Sequence, residues 1–328
     1  MKKYLKITYV IGLIAIILLI GYSFERVGLA QSTLPIQMAT QTHASEIALT
    51  QLASPGIDPQ PSLSTSRPTP ILTATALPVE ETTVVSHLPA EMWESWPILP
   101  QSVSDSLREV YRRGLANGNS ATAFSVLGDC QSEPDVFMGV YDRDPAAVQS
   151  LPANLQETVA KFQGSFDRYS PTVKGGTTEG ALLWTMWNEN LEGKCTAIET
   201  PLDCELRVQR PSIAFVHVGT HWETRNEHYL TIIIEKLLEN GTVPIIVTKA
   251  DNLELDERVN NNLARLAEKY DLPMWNFWAS VQDLPRHGFA KDTEMLLSKQ
   301  AKEIHRLGAL QTLDFVWRAL QEKNHETH

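Results

Sequence analysis

Three thiols and a group of histidines are the residues whose types and spacing bear on chemistry. Cys195 and Cys204 stand nine positions apart, and Cys130 is the odd thiol. A Cys does nucleophilic work only as a thiolate, which needs a nearby cation or imidazole. Cys130 ends the run Gly128-Asp129-Cys130 directly after the apolar segment Ala123–Leu127. Two readings stay open for it: an attacking sulfur, or a small buried residue at a strand end. His217 and His221 bracket Gly219, with Glu223 and His228 close by. No matching ligand set occurs elsewhere, so no metal is expected. No phosphate loop or dinucleotide fingerprint follows any strand, so no cofactor is expected either.

The elements that must position these residues alternate in type. Helices are expected over Ser104–Gly118, Leu155–Gln163, Glu179–Trp187, Glu227–Asn240, Asp256–Tyr270 and Leu307–Gln321. Strands are expected at Ala123–Leu127, Ser212–Val218, Val243–Val247 and Pro273–Trp278. The second and third of these are nearly continuous apolar runs, as in a sheet covered on both faces. Such alternation gives an α/β domain with a mainly parallel sheet. Sites on these sheets form at the carboxyl ends of strands, so the loops after Leu127, Val218 and Trp278 matter most. Trp184, Trp187, Trp275, Trp278 and Trp317 fall at core edges and are expected to pack there.

Composition restricts where that domain lies. Of 328 residues, 43% are hydrophobic and the net charge is −11. An acidic chain without a basic run is a poor partner for nucleic acid. Residues 1–30 carry Lys2, Lys3 and Lys6 before an apolar run from Ile7 to Tyr22, the pattern of a signal peptide or an N-terminal membrane anchor. Gly28-Leu29-Ala30 offers small residues for cleavage, and either outcome sends the remainder out of the cytoplasm, to an extracellular or cell-surface location. Residues 31–90 are dense in Pro, Ser and Thr and read as a disordered stalk. The globular domain is expected over residues 91–328, with folded material beginning near Trp93. In an exported domain Cys195 and Cys204 are expected to pair, the alternative being three free thiols.

The order Gly128-Asp129-Cys130, Gly175-Gly176, Gly219-Thr220-His221 and Asp292 resembles the block order of the SGNH (GDSL-type) hydrolase and esterase superfamily. Thr248–Asn252 and Trp275–Trp278 resemble a bacterial exported subgroup of it. The resemblance implies a flavodoxin-like three-layer sandwich and hydrolysis of carboxylic esters, with an acylated glycan or small ester as partner. It also implies a nucleophilic Ser after Gly-Asp, a His oriented by an Asp, and an oxyanion hole built from backbone N–H groups and an Asn.

This chain departs from that pattern. Cys130 replaces the Ser, His221 replaces the Asn, and Met295 stands where the His belongs, three residues after Asp292. Loss of one triad member costs about 10⁴ in rate in such enzymes, so a degenerate, weakly active or inactive site is expected. Two other readings stand beside it. One is a non-catalytic glycan- or ligand-binding surface module. The other is a working esterase with Cys130 as nucleophile, His287 as displaced base, Asp292 as orienter, and Cys130, Gly175, Gly176 and His221 as the oxyanion hole. In the last, His221 supplies a ring N–H; otherwise it is a polar loop residue. Ser132 reads as a turn-capping hydroxyl, and His305 as a surface residue at a helix start.

Overall fold

The computed structural model describes residues 88–189 and 193–322. The chain divides into two units, Met1–Val79 and Glu80–His328, and every described residue lies in the second. The expected leader and almost all of the expected linker lie outside the described residues. Ala90 and Trp93 are already buried.

Helix α1 (Asp105–Ala116) leads into β1 (Ser120–Gly128), then α2 (Ala153–Lys161), α3 (Pro201–Gln209), β2 (Pro211–His217), α4 (Asn226–Glu239), β3 (Val243–Val247), α5 (Arg258–Tyr270), β4 (Met274–Trp275) and α6 (Lys299–Gln321). The four strands form one parallel sheet in the order β1-β2-β3-β4. Every residue of β2 and β3 is buried, because helices cover both faces. Helices α1, α2 and α6 pack together as one layer, and α3, α4 and α5 line the other. Arg108 of α1 donates to the Ala319 carbonyl of α6 at 2.9 Å, and Lys236 of α4 meets Asp203 of α3 at 2.6 Å. Among the described residues no helix is long and apolar enough to cross a membrane.

An isolated parallel bridge joins Gly128 to Val173 on the free edge of β1. Gly128 N–H donates to the Thr172 carbonyl at 2.9 Å, and Lys174 N–H to the Gly128 carbonyl at 3.3 Å. The segment after β1 therefore returns to one side of it, while β2 lies on the other. That reversal is a topological switch point, where the strand ends splay and leave a crevice.

Several expectations need correction. Glu179–Trp187 is not a helix but two 3-10 turns, Ala181–Leu183 and Thr185–Trp187, split by an extended Trp184. The Gly180 N–H and the Thr178 hydroxyl are given to the Glu223 carboxylate rather than to a helical ladder. The strand expected at Pro273–Trp278 is only two residues long. Asn276 then accepts from the Ala279 N–H at 3.2 Å and caps the short helix Phe277–Val281. Helix α6 starts at Lys299, a full two turns early, because Ser298 caps it through the Ala301 N–H at 3.2 Å. His305 is therefore a fully buried mid-helix residue, not a surface one. Trp184 is exposed rather than packed in the core. Cys195 and Cys204 form a disulfide, and Cys204 lies within α3 rather than in a loop.

Candidate functional site

The carboxyl ends of β1 and β2 bring residues 129–133, 174–180 and 218–223 together. Gly128 makes the first turn possible: a Cβ there would stand 2.0 Å from Ser132 Oγ and 2.8 Å from the His217 carbonyl oxygen. The chain then closes on itself, with Ser132 N–H donating to the Asp129 carbonyl at 2.9 Å.

Asp129 is the hub. Its Oδ1 accepts from Gln131 N–H at 3.2 Å, and its Oδ2 accepts from Thr220 N–H at 3.1 Å and His221 N–H at 3.4 Å. Burial raises its pKa, while these N–H donors pull it back down. Thr220 passes the connection on, its hydroxyl donating to Asp251 Oδ2 at 2.9 Å. Lys249 Nζ closes the chain, 2.6 Å from Asp251 Oδ1 and 2.5 Å from Glu254 Oε2, all three side chains buried. Sequence reasoning assigned no role to Lys249 or Glu254; a lysine followed closely by two acidic residues usually reads as a solvated surface.

Cys130 is half-buried beside this hub. Burial first, then the Asp129 and Glu133 carboxylates, push its thiol up to about 11. Among the described residues no imidazole hydrogen-bonds its sulfur. The thiol is thus protonated at neutral pH and lacks an activating base.

Of the expected oxyanion donors, Gly175 has another partner. Gly175 N–H donates to Glu133 Oε1 at 3.0 Å, so a carboxylate of the protein occupies that expected donor. Gly176 follows directly, with open space above its Cα. His221 is one-third exposed; its Nδ1 is buried without a hydrogen-bond partner, 4.0 Å from Asp129 Oδ2.

The C-terminal loop does reach this crevice. Gln131 Nε2 donates to the Met295 carbonyl at 2.6 Å. The two remaining candidates are both exposed. Asp292 is exposed, in a left-handed conformation (φ 65°), and accepts no hydrogen bond among the described residues. His287 is exposed, and its Nδ1 donates to the Gln282 carbonyl at 3.1 Å. It lines a separate pocket of about 440 Å3 with Asn252, Trp278 and Phe289. No hydrogen bond joins Cys130, His287 and Asp292 to one another.

One Ser–His contact exists, and sequence reasoning missed it. Ser132 does not cap a turn with its hydroxyl; Ser132 Oγ lies 2.8 Å from His217 Nδ1. Both residues are buried. Burial lowers His217 to about 4, so its ring is neutral. His305 lies 4.8 Å from it, centroid to centroid, and 4.5 Å from Phe137 and Phe277. Trp275 stacks on His305 at 5.4 Å and 24°. This aromatic packing buries the imidazoles of His217 and His305, while Ser132 also lines a small cavity of about 20 Å3 with Pro134, Phe137, Arg168 and Ser170.

A second buried acid was also missed. Glu179 is fully buried, and neither carboxylate oxygen has a partner. Burial pushes it up to about 8, with Glu223 and Asp129 adding in the same direction, so it is neutral at pH 7. Among the described residues no group of three or more His, Cys, Asp or Glu side chains is arranged to hold a metal ion.

The structure is similar to that of a GDSL-like lipase from Bacteroides thetaiotaomicron, at 11% identity over 64% of this chain and 98% of that one, with a TM-score of 0.38. It is also similar to the structure of TesA, at 14% identity over 58% of this chain and 97% of that one, with a TM-score of 0.38. No family model matches the chain. No curated protein matches it.

Proposed function

We propose that this domain has the ancestry of an ester hydrolase but holds a ligand, an acylated glycan or a small ester, without turning it over. The observation that carries this reading is the Gly175–Glu133 hydrogen bond. A carboxylate at the oxyanion position repels the very charge that acyl transfer must develop there. The surroundings of Cys130 support the same conclusion: a thiol raised to about 11 and no imidazole on the sulfur leave no attacking thiolate. Glu133 favours binding over the cysteine-esterase alternative, since it both fills the donor and opposes the thiolate.

The domain is proposed to work outside the cytoplasm, attached by its N-terminal segment if that segment is retained. The lysine-led apolar run of residues 1–30 supports this, as does the Cys195–Cys204 disulfide, a bond that persists in oxidising compartments.

Covalent trapping tests the reading. The protein is incubated with p-nitrophenyl acetate or with a fluorophosphonate, and its intact mass is measured. No acyl or phosphonyl adduct on Cys130 or Ser132 is expected. A stoichiometric adduct on either residue overturns the proposal.

A further inference from the structure

Beside the crevice, and sharing Glu133 with it, lies a cleft of about 340 Å3. It runs along the free edge of β1, between Glu133–Asp135 and the segment from Asp167 to Glu189. We infer that this cleft is the ligand seat and that its ligand is an uncharged saccharide. The inference rests on the binding reading above and adds the place and the chemical class.

Two features of the walls lead there. The first is aromatic. Tyr169 and Trp187 both line the cleft. Tyr169 is 82% exposed, although burying its ring would be favourable, and Trp187 is half-buried. Aromatic faces left at the wall of a polar cleft suit the C–H faces of a sugar ring, which are apolar while the ring edge is hydroxylated. Trp187 is held in place from behind: its Nε1 donates to Thr177 Oγ1 at 3.3 Å, and Lys174 Nζ sits 4.8 Å from its ring centroid.

The second feature is charge. Each cation lining the cleft already has a carboxylate. Arg143 pairs with Asp135 and, at 3.1 Å, with Asp167. Lys174 pairs with Glu189, and Arg168 with the buried Glu205. An anionic ligand would have to break these pairs, whereas planar guanidinium and carboxylate groups already fixed in place offer donors and acceptors to vicinal hydroxyls.

Isothermal titration tests the inference, with cellotetraose and chitotetraose as neutral probes and tetragalacturonate as the anionic one. At least one neutral probe is expected to bind saturably. Tyr169→Ala and Trp187→Ala should each weaken that binding 10-fold or more, while Tyr169→Phe and Trp187→Phe, which keep a ring, retain most of it. Absence of binding by both neutral probes overturns the inference. So does neutral binding unchanged in both alanine variants, or tighter binding of tetragalacturonate than of either neutral probe. Ester turnover is recorded on the same samples. Turnover lost in Cys130→Ala refutes the non-hydrolysing reading, whereas missing saccharide binding refutes only the assignment of the cleft.

Discussion

Glu133 Oε1 accepts a 3.0 Å hydrogen bond from the Gly175 N–H, and the same carboxylate helps keep the neighbouring Cys130 thiol protonated. One side chain thus occupies the donor that would stabilise an oxyanion and opposes the anion that would attack. Around it lie parallel strands, a switch point at β1, and a C-terminal loop tied to the turn after β1 through Gln131 and Met295.

Alkylation of Cys130 should report this arrangement. With the thiol at about 11, its rate of reaction with iodoacetamide is expected to rise about tenfold per pH unit from pH 7 to pH 10, without a plateau. Glu133→Gln removes one opposing charge but not burial, the larger cause. The rate at pH 8 should therefore rise a few-fold, on the scale of one partly screened charge. A plateau below pH 9 in the wild type contradicts the account.

Glu179 ties stability to pH. Its folded pKa, about 8, is above the ordinary 4.5. Between these values the folded chain keeps a proton that the unfolded chain has lost, so its stabilising contribution is full below about pH 4.5 and disappears as pH rises towards 8. Glu179→Gln removes that slope. The variant should gain on the wild type from pH 5 to pH 8, by ~1–3 kcal/mol at the upper end. Thermal melts read this as about 2–4 °C per kcal/mol. Parallel Tm–pH curves for the two proteins contradict it.

Lys249 holds two buried carboxylates, Asp251 and Glu254. Lys249→Met leaves both without their counter-charge and should cost about 3–5 kcal/mol. Thr220→Val removes only the hydroxyl linking Asp251 to the β2 loop and should cost ~1 kcal/mol. Urea unfolding distinguishes the two; equal midpoints for both variants would show that the network carries no such energy.

How far the sequence revealed all this depended on which signals are local. Strands β2 and β3 were legible because burial on both faces demands continuous apolar runs. The Cys195–Cys204 pair was legible because two cysteines nine apart lie close enough in the chain to meet. Helix α6 was cut short because its first turns bury Ala301, His305 and Gly308, small or polar residues that show no apolar period. A Cβ at Gly308 would come within 2.9 Å of the Trp275 ring, a requirement set by another element. Glu133 and Glu179 were illegible for a related reason: whether an acid is solvated, buried or on a backbone N–H is decided by segments about forty residues away. Cys130, Gly175 and His221 were brought to one crevice; Asp292 was selected by block order and His287 by its nearness to Asp292 in sequence, and both stand exposed, at positive φ, with no hydrogen bond between them.

Reduction of the disulfide gives an independent handle on the scaffold. Cys195→Ser should lower stability by ~2–3 kcal/mol, the scale for opening a short loop. It should leave the Cys130 alkylation rate unchanged, because Cys130 lies in the turn after β1 whereas Cys204 lies within α3. A faster Cys130 reaction in this variant would mean that the two regions unfold together.

The most direct test of the central claim is turnover of p-nitrophenyl butyrate between pH 6 and pH 9 by the wild type, Cys130→Ala and Ser132→Ala. All three are expected to give the same rate, that of the uncatalysed reaction. A wild-type rate well above background that falls in either variant would contradict the claim that the crevice binds without cleaving.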